Sequence, residues 1–321
     1  MKKNKNALQF KKAWDLISKS QSFFLTTHEG TDGDDLGSLL AVKRVLESKG
    51  KKVTAAVVGG IPPTLRFLPE SNTLKEGYID GEYDLVLTFG CAHLSRPGMP
   101  QLHTLKVSTI NFDHHQDNSF FATVNVVDTD TAAVAELVYY FLQHNDEQID
   151  HLIATYLLSG IFWDTGGYKH DNTSADVLEV SADLLKKGAR IDKIATFIYG
   201  QKSPKTIKAW SRAIENLRFN PEKKLVYSVL TEDDFKEIGA DQEDLQGKVL
   251  IELLNHVPEA KYVLLLKESK GFVKGSLRSE PYKNMDVSEI ARAFGGGGHK
   301  LAAGFRIKGK LVKSGKSWEI K

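Results

Sequence analysis

Apolar positions in the first two-thirds of the chain switch repeatedly between two periods. Ser22 to Thr27 (SFFLTT) is a short apolar, β-prone run. Asp34 to Ser48 follows with helical spacing, carried by Leu36, Leu39, Leu40, Val45 and Leu46. Lys52 to Val58 (KVTAAVV), Asp84 to Phe89 (DLVLTF) and Val107 to Phe112 (VSTINF) are again strand-like. A helical stretch comes next. It comprises Thr131 to Leu142, with Asp130 or Thr131 as the expected N-cap, the almost wholly apolar Ile149 to Phe162, and the amphipathic Thr173 to Lys187, stopping at Gly188. Ile191 to Ile198 and Thr206 to Leu217 continue it. Strands alternating with helices predict an α/β fold with a mostly parallel sheet flanked by helices.

From Lys224 the pattern changes. Leu225 to Leu230, Tyr262 to Lys267, Phe272 to Ser279 and Ala303 to Lys308 are strand-like, with helices opened by Thr231 and by Asp286, the latter with Glu289 at capping-box spacing. This predicts a smaller α+β C-terminal domain. The expected division is a first domain over residues 1–200, a helical connector over 201–220 and a second domain over 221–321. A length of 321 residues suits two domains.

Composition narrows the setting. Hydrophobic residues are 41% and charged residues 26%, ordinary for a soluble globular protein. A net charge of +2 exerts no broad pull on nucleic acid, so any polyanion must be held by a local site. Cys91 is the single cysteine, which excludes an internal disulfide. The basic start of the chain, with Leu8, Trp14, Leu16 and Ile17 among polar residues, resembles an amphipathic helix and not a signal peptide. No run of about 18 apolar residues occurs, so no membrane span is expected. The expectation is a soluble cytoplasmic protein.

Three chemically loaded clusters follow predicted elements. They are His28-Glu29-Gly30-Thr31-Asp32-Gly33-Asp34-Asp35, Asp113-His114-His115, and Trp163-Asp164-Thr165-Gly166-Gly167. Loops at the carboxyl ends of parallel strands line one crevice, so residues far apart in sequence can meet there. Histidines with carboxylates and no thiolate cluster suit Mn²⁺, with Fe, Co²⁺ or Mg²⁺ as alternatives. Carboxylates gathered in one crevice repel unless cations hold them. A metal pair acidifies water and clamps the oxygens of a phosphoryl displacement. An aspartate after a strand commonly caps the next helix, and Asp34 or Asp35 alone would be read that way. A histidine, three aspartates and two glycines within eight residues exceed what a cap needs.

The second domain carries Phe294-Gly295-Gly296-Gly297-Gly298-His299 followed by Ala302-Ala303-Gly304. Glycines let backbone approach a ligand and present N–H groups to an anion. Arg278, at a predicted strand end, offers a planar guanidinium to a phosphate. A plain linker would be richer in serine and other polar residues.

Taken in order, these motifs resemble the DHH phosphoesterases, named for the tripeptide Asp113-His114-His115. The set His28…Asp32-Gly33-Asp34, Asp113-His114-His115, Asp164-Thr165-Gly166-Gly167 and Gly295 to His299 is similar to the nano-RNase and pAp-phosphatase branch, the bifunctional oligoribonucleases. The resemblance covers nearly the whole chain. It implies His28 and Asp32 as ligands of one Mn²⁺, and Asp34, His114 and Asp164 as ligands of a second. It implies His115 as the catalytic contact to the scissile phosphate, with Asp113 orienting the histidines. Arg278, Gly295, Gly296, Gly297, Gly298 and His299 would hold the nucleotide, with the active site in the interdomain cleft. The implied activity is metal-dependent hydrolysis of short RNA (nanoRNA), linear or cyclic dinucleotides, or 3′-phosphoadenosine 5′-phosphate (pAp). Neither long nucleic acid nor membrane is an implied partner, and a homodimer is compatible with the resemblance.

One departure stands out. The family's second motif ends a strand with an aspartate that bridges both metals, whereas here Gly90 follows Phe89, ahead of a matching Arg96-Pro97-Gly98. Three arrangements remain open: the other ligands and water hold the pair, one metal is lost, or His93 or Cys91 reaches in. The departure predicts a weakly held second metal and a gain of metal in Gly90→Asp. It also keeps an alternative function open, a nucleotide-binding protein with weakened or lost hydrolysis. Thr31 stands where a proline is usual, a minor difference.

Overall fold

The structure is a computed structural model that describes residues 5–200, 203–240, 257–315 and 317–321. Its contacts divide the chain into two compact units, Met1–Gln201 and Lys202–Lys321. Among the described residues no helix is long and apolar enough to cross a membrane.

The first unit runs α1 (Ala7–Lys19), β1 (Ser22–Thr27), α2 (Gly33–Ser48), β2 (Lys52–Val57), β3 (Lys75–Glu76), β4 (Leu85–Phe89), β5 (Ser108–Asp113) and β6 (Val124–Val127). Helices α3 (Val134–His144), α4 (His151–Asp164), α5 (Ala175–Lys186) and α6 (Ile191–Ala195) follow. The sheet has the order β3-β2-β1-β4-β5-β6 with every pairing parallel. Alternate residues serve its two faces. Phe23, Leu25, Leu85, Leu87, Ile110 and Phe112 join the helical core. Phe24, Ala56 and Val86 pack instead with Met99 and Leu102. A sheet buried on both faces explains why its strands are near-continuous apolar runs. The strand order reverses between β1 and β4, so the loops leaving those strands flank the topological switch point where open α/β sheets bind ligands.

Helix α4 is buried along most of its length and lies tight against α2. A Cβ on Gly37 would come within 2.3 Å of the Tyr156 carbonyl oxygen. One on Gly160 would come within 2.6 Å of the Ala135 Cβ and 3.0 Å of Asp34 Oδ1. Glycine at both contacts lets the start of α2 reach α4.

Two expectations about α3 need correction. It begins at Val134, not Thr131, and neither Asp130 nor Thr131 caps it. Its N-cap, Ala133, has no capping side chain. Its first free N–H groups, at Val134 and Ala135, are met by Asp34, and Glu136 Oε2 accepts from the Ala132 N–H just ahead of the helix (2.7 Å).

The second unit contains α7 (Pro204–Glu215), β7 (Arg218–Asn220), β8 (Leu225–Leu230), α8 (Glu232–Ile238), β9 (Tyr262–Ser269) and β10 (Phe272–Ser279). It continues with α9 (Val287–Ala293), β11 (Gly297–His299), β12 (Ala302–Lys308) and the hairpin β13 (Leu311–Ser314) with β14 (Ser317–Ile320). Its sheet, β11-β12-β10-β9-β8-β7, is mixed, with β8 and β9 parallel. Helix α7, inside the stretch read as a connector, is part of this unit's core. Its Ala209 and Ala213 are buried with Val226, Leu230 and Phe235. Thr231 and Asp234 form a capping box at α8. At α9 the Asp286 carboxylate accepts from the Ser288 N–H, two residues on.

Candidate metal centre

The loop after β1 turns directly into α2, and its acids are fixed by backbone donors. Asp32 is the N-cap of α2, its Oδ1 accepting from the N–H groups of Asp34 (2.9 Å) and Asp35 (3.2 Å). Asp34 is buried and accepts from the first two N–H groups of α3, Val134 at 2.6 Å and Ala135 at 2.8 Å. Asp35, also buried, places Oδ2 2.9 Å from His28 Nε2. His28 Nδ1 lies 2.8 Å from the Glu29 carbonyl, which makes Nδ1 the protonated nitrogen and aims Nε2 into the acids.

The Asp113-His114-His115 segment leaves the end of β5. Asp113 is fully buried, and its Oδ1 accepts from the N–H groups of His114 (2.9 Å) and His115 (3.3 Å) and from His115 Nδ1 (2.6 Å). Its Oδ2 accepts from Asn118 Nδ2. Burial alone would raise its pKa, but the bonds from His115 and Asn118 hold the carboxyl below the usual range. Burial would likewise lower His115, whose proton affinity is instead raised by its bond to Asp113 and the charges of Asp113, Asp35 and Asp164. His114 Nδ1 donates to the Thr131 carbonyl (3.2 Å), leaving Nε2 3.4 Å from Asp164 Oδ2. Asp164 is the last residue of α4, and its carbonyl accepts from His170 Nδ1 (3.0 Å) and Asn172 Nδ2 (3.3 Å). Each of the three histidines thus spends Nδ1 on a protein acceptor, the arrangement that prepares Nε2 for a cation or a phosphate.

Two groups of donor atoms result. Those of His28, Asp32 and Asp35 lie within 4.8 Å of one another, and so do those of Asp34, His114 and Asp164. Burial and the charges of Asp164, Asp35 and Asp32 push Asp34 well above the usual carboxylate range. Burial and Asp32 raise Asp35 to about 6 against the pull of His28. His28, which burial would lower, is raised to about 9 by its hydrogen bond to Asp35 and by the charges of Asp35 and Asp32. The centre has an excess of anion, and its imidazole nitrogens and hard oxygens fit divalent cations.

The structure therefore brings together His28, Asp32, Asp34, Asp113, His114, His115 and Asp164. Sequence reasoning passed over Asp35 as a candidate ligand and Asn118 altogether. For Asp35 a signal existed in the sequence, because three aspartates within four residues are more than one helix cap uses.

Gly90 has φ +64°, and its N–H donates to the Phe112 carbonyl at 2.9 Å. A Cβ there would lie 1.9 Å from Asp35 Oδ1 and 2.2 Å from Oδ2, so the space a side chain would need is filled by the Asp35 carboxylate. Cys91 is buried, its thiol donating to the Phe89 carbonyl at 3.4 Å, and burial together with Asp35 and Asp113 pushes its pKa up. His93 is exposed. Among the described residues neither Cys91 nor His93 joins either donor group.

In the second unit, Arg278 and His299 are both register partners of Ala302, so the three form one row across β10, β12 and β11 on the same face. Arg278 Nη1 donates to the Leu277 carbonyl at 2.8 Å. The four glycines are not wholly a loop, because Gly297 and Gly298 begin edge strand β11. A Cβ on Gly296 would meet the Gly304 oxygen at 2.1 Å, and one on Gly298 the Ala302 oxygen at 2.6 Å. These two positions need glycine for backbone contact with β12, whereas Gly295 and Gly297 face open space.

Comparison with known proteins identifies the family and the fold. Residues 22–161 match the DHH family, N-terminal domain, and residues 222–315 match the DHHA1 domain. The chain is 32% identical over 292 residues to the Thermus thermophilus protein called bifunctional oligoribonuclease and PAP phosphatase NrnA, covering 89% of this chain and 84% of that one. It is 22% identical to the Bacillus subtilis protein of the same name, with 91% of each chain covered. A crystal structure of an exopolyphosphatase-related protein from Bacteroides fragilis superposes with a TM-score of 0.85 at 20% identity, covering 93% of this chain and 90% of that one, a likeness of fold.

Proposed function

The chain belongs to the DHH family, and from that membership we propose that it is a metal-dependent phosphoesterase hydrolysing short oligoribonucleotides, pAp, or both. The names of the Thermus thermophilus and Bacillus subtilis relatives support the substrate class. The observation that carries the reading is the pair of adjoining histidine–carboxylate groups beside the switch point of the parallel sheet. His28 and Asp32 would hold one cation, with Mn²⁺ preferred, and Asp34, His114 and Asp164 the other. When bound, such cations neutralise phosphate charge and acidify water for in-line displacement.

The remaining roles fall to the chain's own groups. Asp113 fixes the His115 ring through Nδ1, so that Nε2 can donate a hydrogen bond to the scissile phosphate. Asn118 fixes Asp113 in turn. In the second unit Arg278 and His299 share a sheet face, and we assign them, with Gly295 to Gly298, to the nucleotide's phosphates and base.

The test is incubation of chelator-stripped, Mn²⁺-reloaded protein with pAp, a ribo-dinucleotide and a cyclic dinucleotide in separate reactions. Products are resolved by chromatography and binding is measured by calorimetry. Turnover that needs added metal supports the proposal. Tight binding without turnover would select the nucleotide-binding alternative, and neither binding nor turnover would overturn both.

A further inference from the structure

The absence of a side chain at position 90 and the position of Asp35 are two halves of one feature. Asp35 rises from the first turn of α2 and its carboxylate occupies the volume above Gly90, with Oδ1 1.9 Å from where a Cβ would stand. The strand ends they belong to are neighbours, since β1 pairs with β4 through Thr27 and Phe89. The same carboxylate is 2.9 Å from His28 in the first donor group. Asp35 also follows directly on Asp34, a member of the second donor group. Asp35 is thus a buried carboxylate in the first donor group that does not cap α2, and its sequence neighbour Asp34 belongs to the second.

We propose that Asp35 supplies the metal-binding carboxylate that the family resemblance leads one to expect at position 90, and that the missing side chain of Gly90 leaves the space that admits it. The inference rests on the proposed two-cation site and names a ligand outside the family's pattern. The centre then has its full complement of carboxylates despite Gly90. Gly90→Asp accordingly adds no metal to the wild-type chain, because the new side chain competes with Asp35 for one space.

The experiment is Mn²⁺ titration of chelator-stripped protein, read by calorimetry, by metal content after gel filtration, and by the spin coupling of paired Mn²⁺ ions in electron paramagnetic resonance. The variants are Asp35→Asn, Asp35→Ala, Gly90→Asp, the exchange Asp35→Ala with Gly90→Asp, and Asp164→Asn, each first shown to be folded by circular dichroism. Wild type is expected to bind two ions per chain with spin coupling. Asp35→Asn should weaken one of them at least tenfold and abolish the coupling. Gly90→Asp alone should bind no more than wild type. The exchange should recover binding lost in Asp35→Ala, since aspartate tolerates the left-handed backbone at position 90.

Full affinity and coupling in Asp35→Asn would overturn the proposal, as would a folded exchange variant that binds no better than Asp35→Ala. Loss of an ion in Asp35→Asn with no effect of Asp164→Asn would leave Asp35 a ligand and refute the second cation site instead. A folded wild-type chain that binds no divalent ion would overturn both.

Discussion

Asn118→Ala should loosen the aspartate on which the paired histidines depend. Asn118 is 8% exposed, and its Nδ2 donates to Asp113 Oδ2 and, at 3.4 Å, to the Cys91 carbonyl. Its Oδ1 accepts from the Phe120 N–H at 2.7 Å, at a residue with φ +52°. Alanine removes a charge-assisted bond to a buried carboxylate, about 1.5–3 kcal/mol, and a neutral bond in a strained turn, about 1 kcal/mol. The Cys91 carbonyl keeps Asn111 Nδ2 at 3.0 Å and adds little to the loss. The total, about 2.5–4 kcal/mol, corresponds to a fall in Tm of roughly 5–15 °C for a unit of this size.

The effect on catalysis separates fastening from mere packing. Asp113 would still touch His115 but with one oxygen released, so the His115 ring loses its fixed direction. The expected result is a kcat reduced about tenfold with KM little changed, an orientation loss of about 1.4 kcal/mol. Asn125→Ala is the control. Asn125 donates to the Phe120 and Ala122 carbonyls in the same loop and makes no bond to Asp113, so it should lower Tm and spare kcat. Thermal melts by circular dichroism and steady-state kinetics on pAp with saturating Mn²⁺ decide the matter. A Tm change under about 2 °C with unchanged kcat in Asn118→Ala would refute the reasoning, as would equal kcat losses in both variants.

Gly160→Ala forces a Cβ to 2.6 Å from the Ala135 Cβ and 3.0 Å from Asp34 Oδ1, and overpacking of this kind costs about 1–3 kcal/mol. It should lower both Tm and Mn²⁺ affinity, and calorimetry showing unchanged affinity would separate that contact from the metal centre. Arg278→Ala and His299→Ala should raise KM for pAp roughly tenfold while metal content stays at the wild-type value, checked by kinetics and elemental analysis. Burial and the facing charge of Lys274 lower the Lys267 ammonium from 10.5 to about 8. The unfolded chain therefore binds more protons between those values, so stability should rise with pH across that window and carry the full penalty below it. Lys274→Gln should stabilise the protein by roughly 0.5–1 kcal/mol at pH 7 and flatten that rise, as denaturant titrations at pH 7 and 10 would report.

The regular parts of the first unit were legible because burial on both sheet faces writes continuous apolar runs. Strand β1 coincides with SFFLTT, and α2 begins within a residue of its expected start. Strands β3 and β6 were missed because 2 and 4 residues are too few to show a period. The start of α3 was misplaced because its cap is Asp34, a hundred residues upstream, and capping rules search only neighbouring positions. The glycines before His299 were read only as backbone for approach to an anion, yet Gly296 and Gly298 are required for β12 to approach. Gly90 illustrates the same limit. What a missing side chain means depends on what fills its space, and no pattern along the chain shows that Asp35 does.

The acids of α2 also change how capping and ligation should be weighed against each other. On sequence alone they compete as explanations, since an aspartate at a helix start needs no further reason. In the structure the same residues satisfy both. Asp32 caps its own helix through Oδ1 and belongs to the first donor group, and Asp34 caps a different helix and belongs to the second. Capping restricts the carboxylate to one rotamer and one direction, which is what a ligand needs before its ion arrives. It also brings the positive end of a helix to each of these two carboxylates and so offsets part of the repulsion among the acids. A carboxylate used only as a ligand would have to be held by something else, as Asp35 is held by His28. Substituting Asp34 will therefore confound folding with metal binding, whereas Asp35 and Asp164 are not the N-cap of any helix among the described residues and report on metal binding more directly.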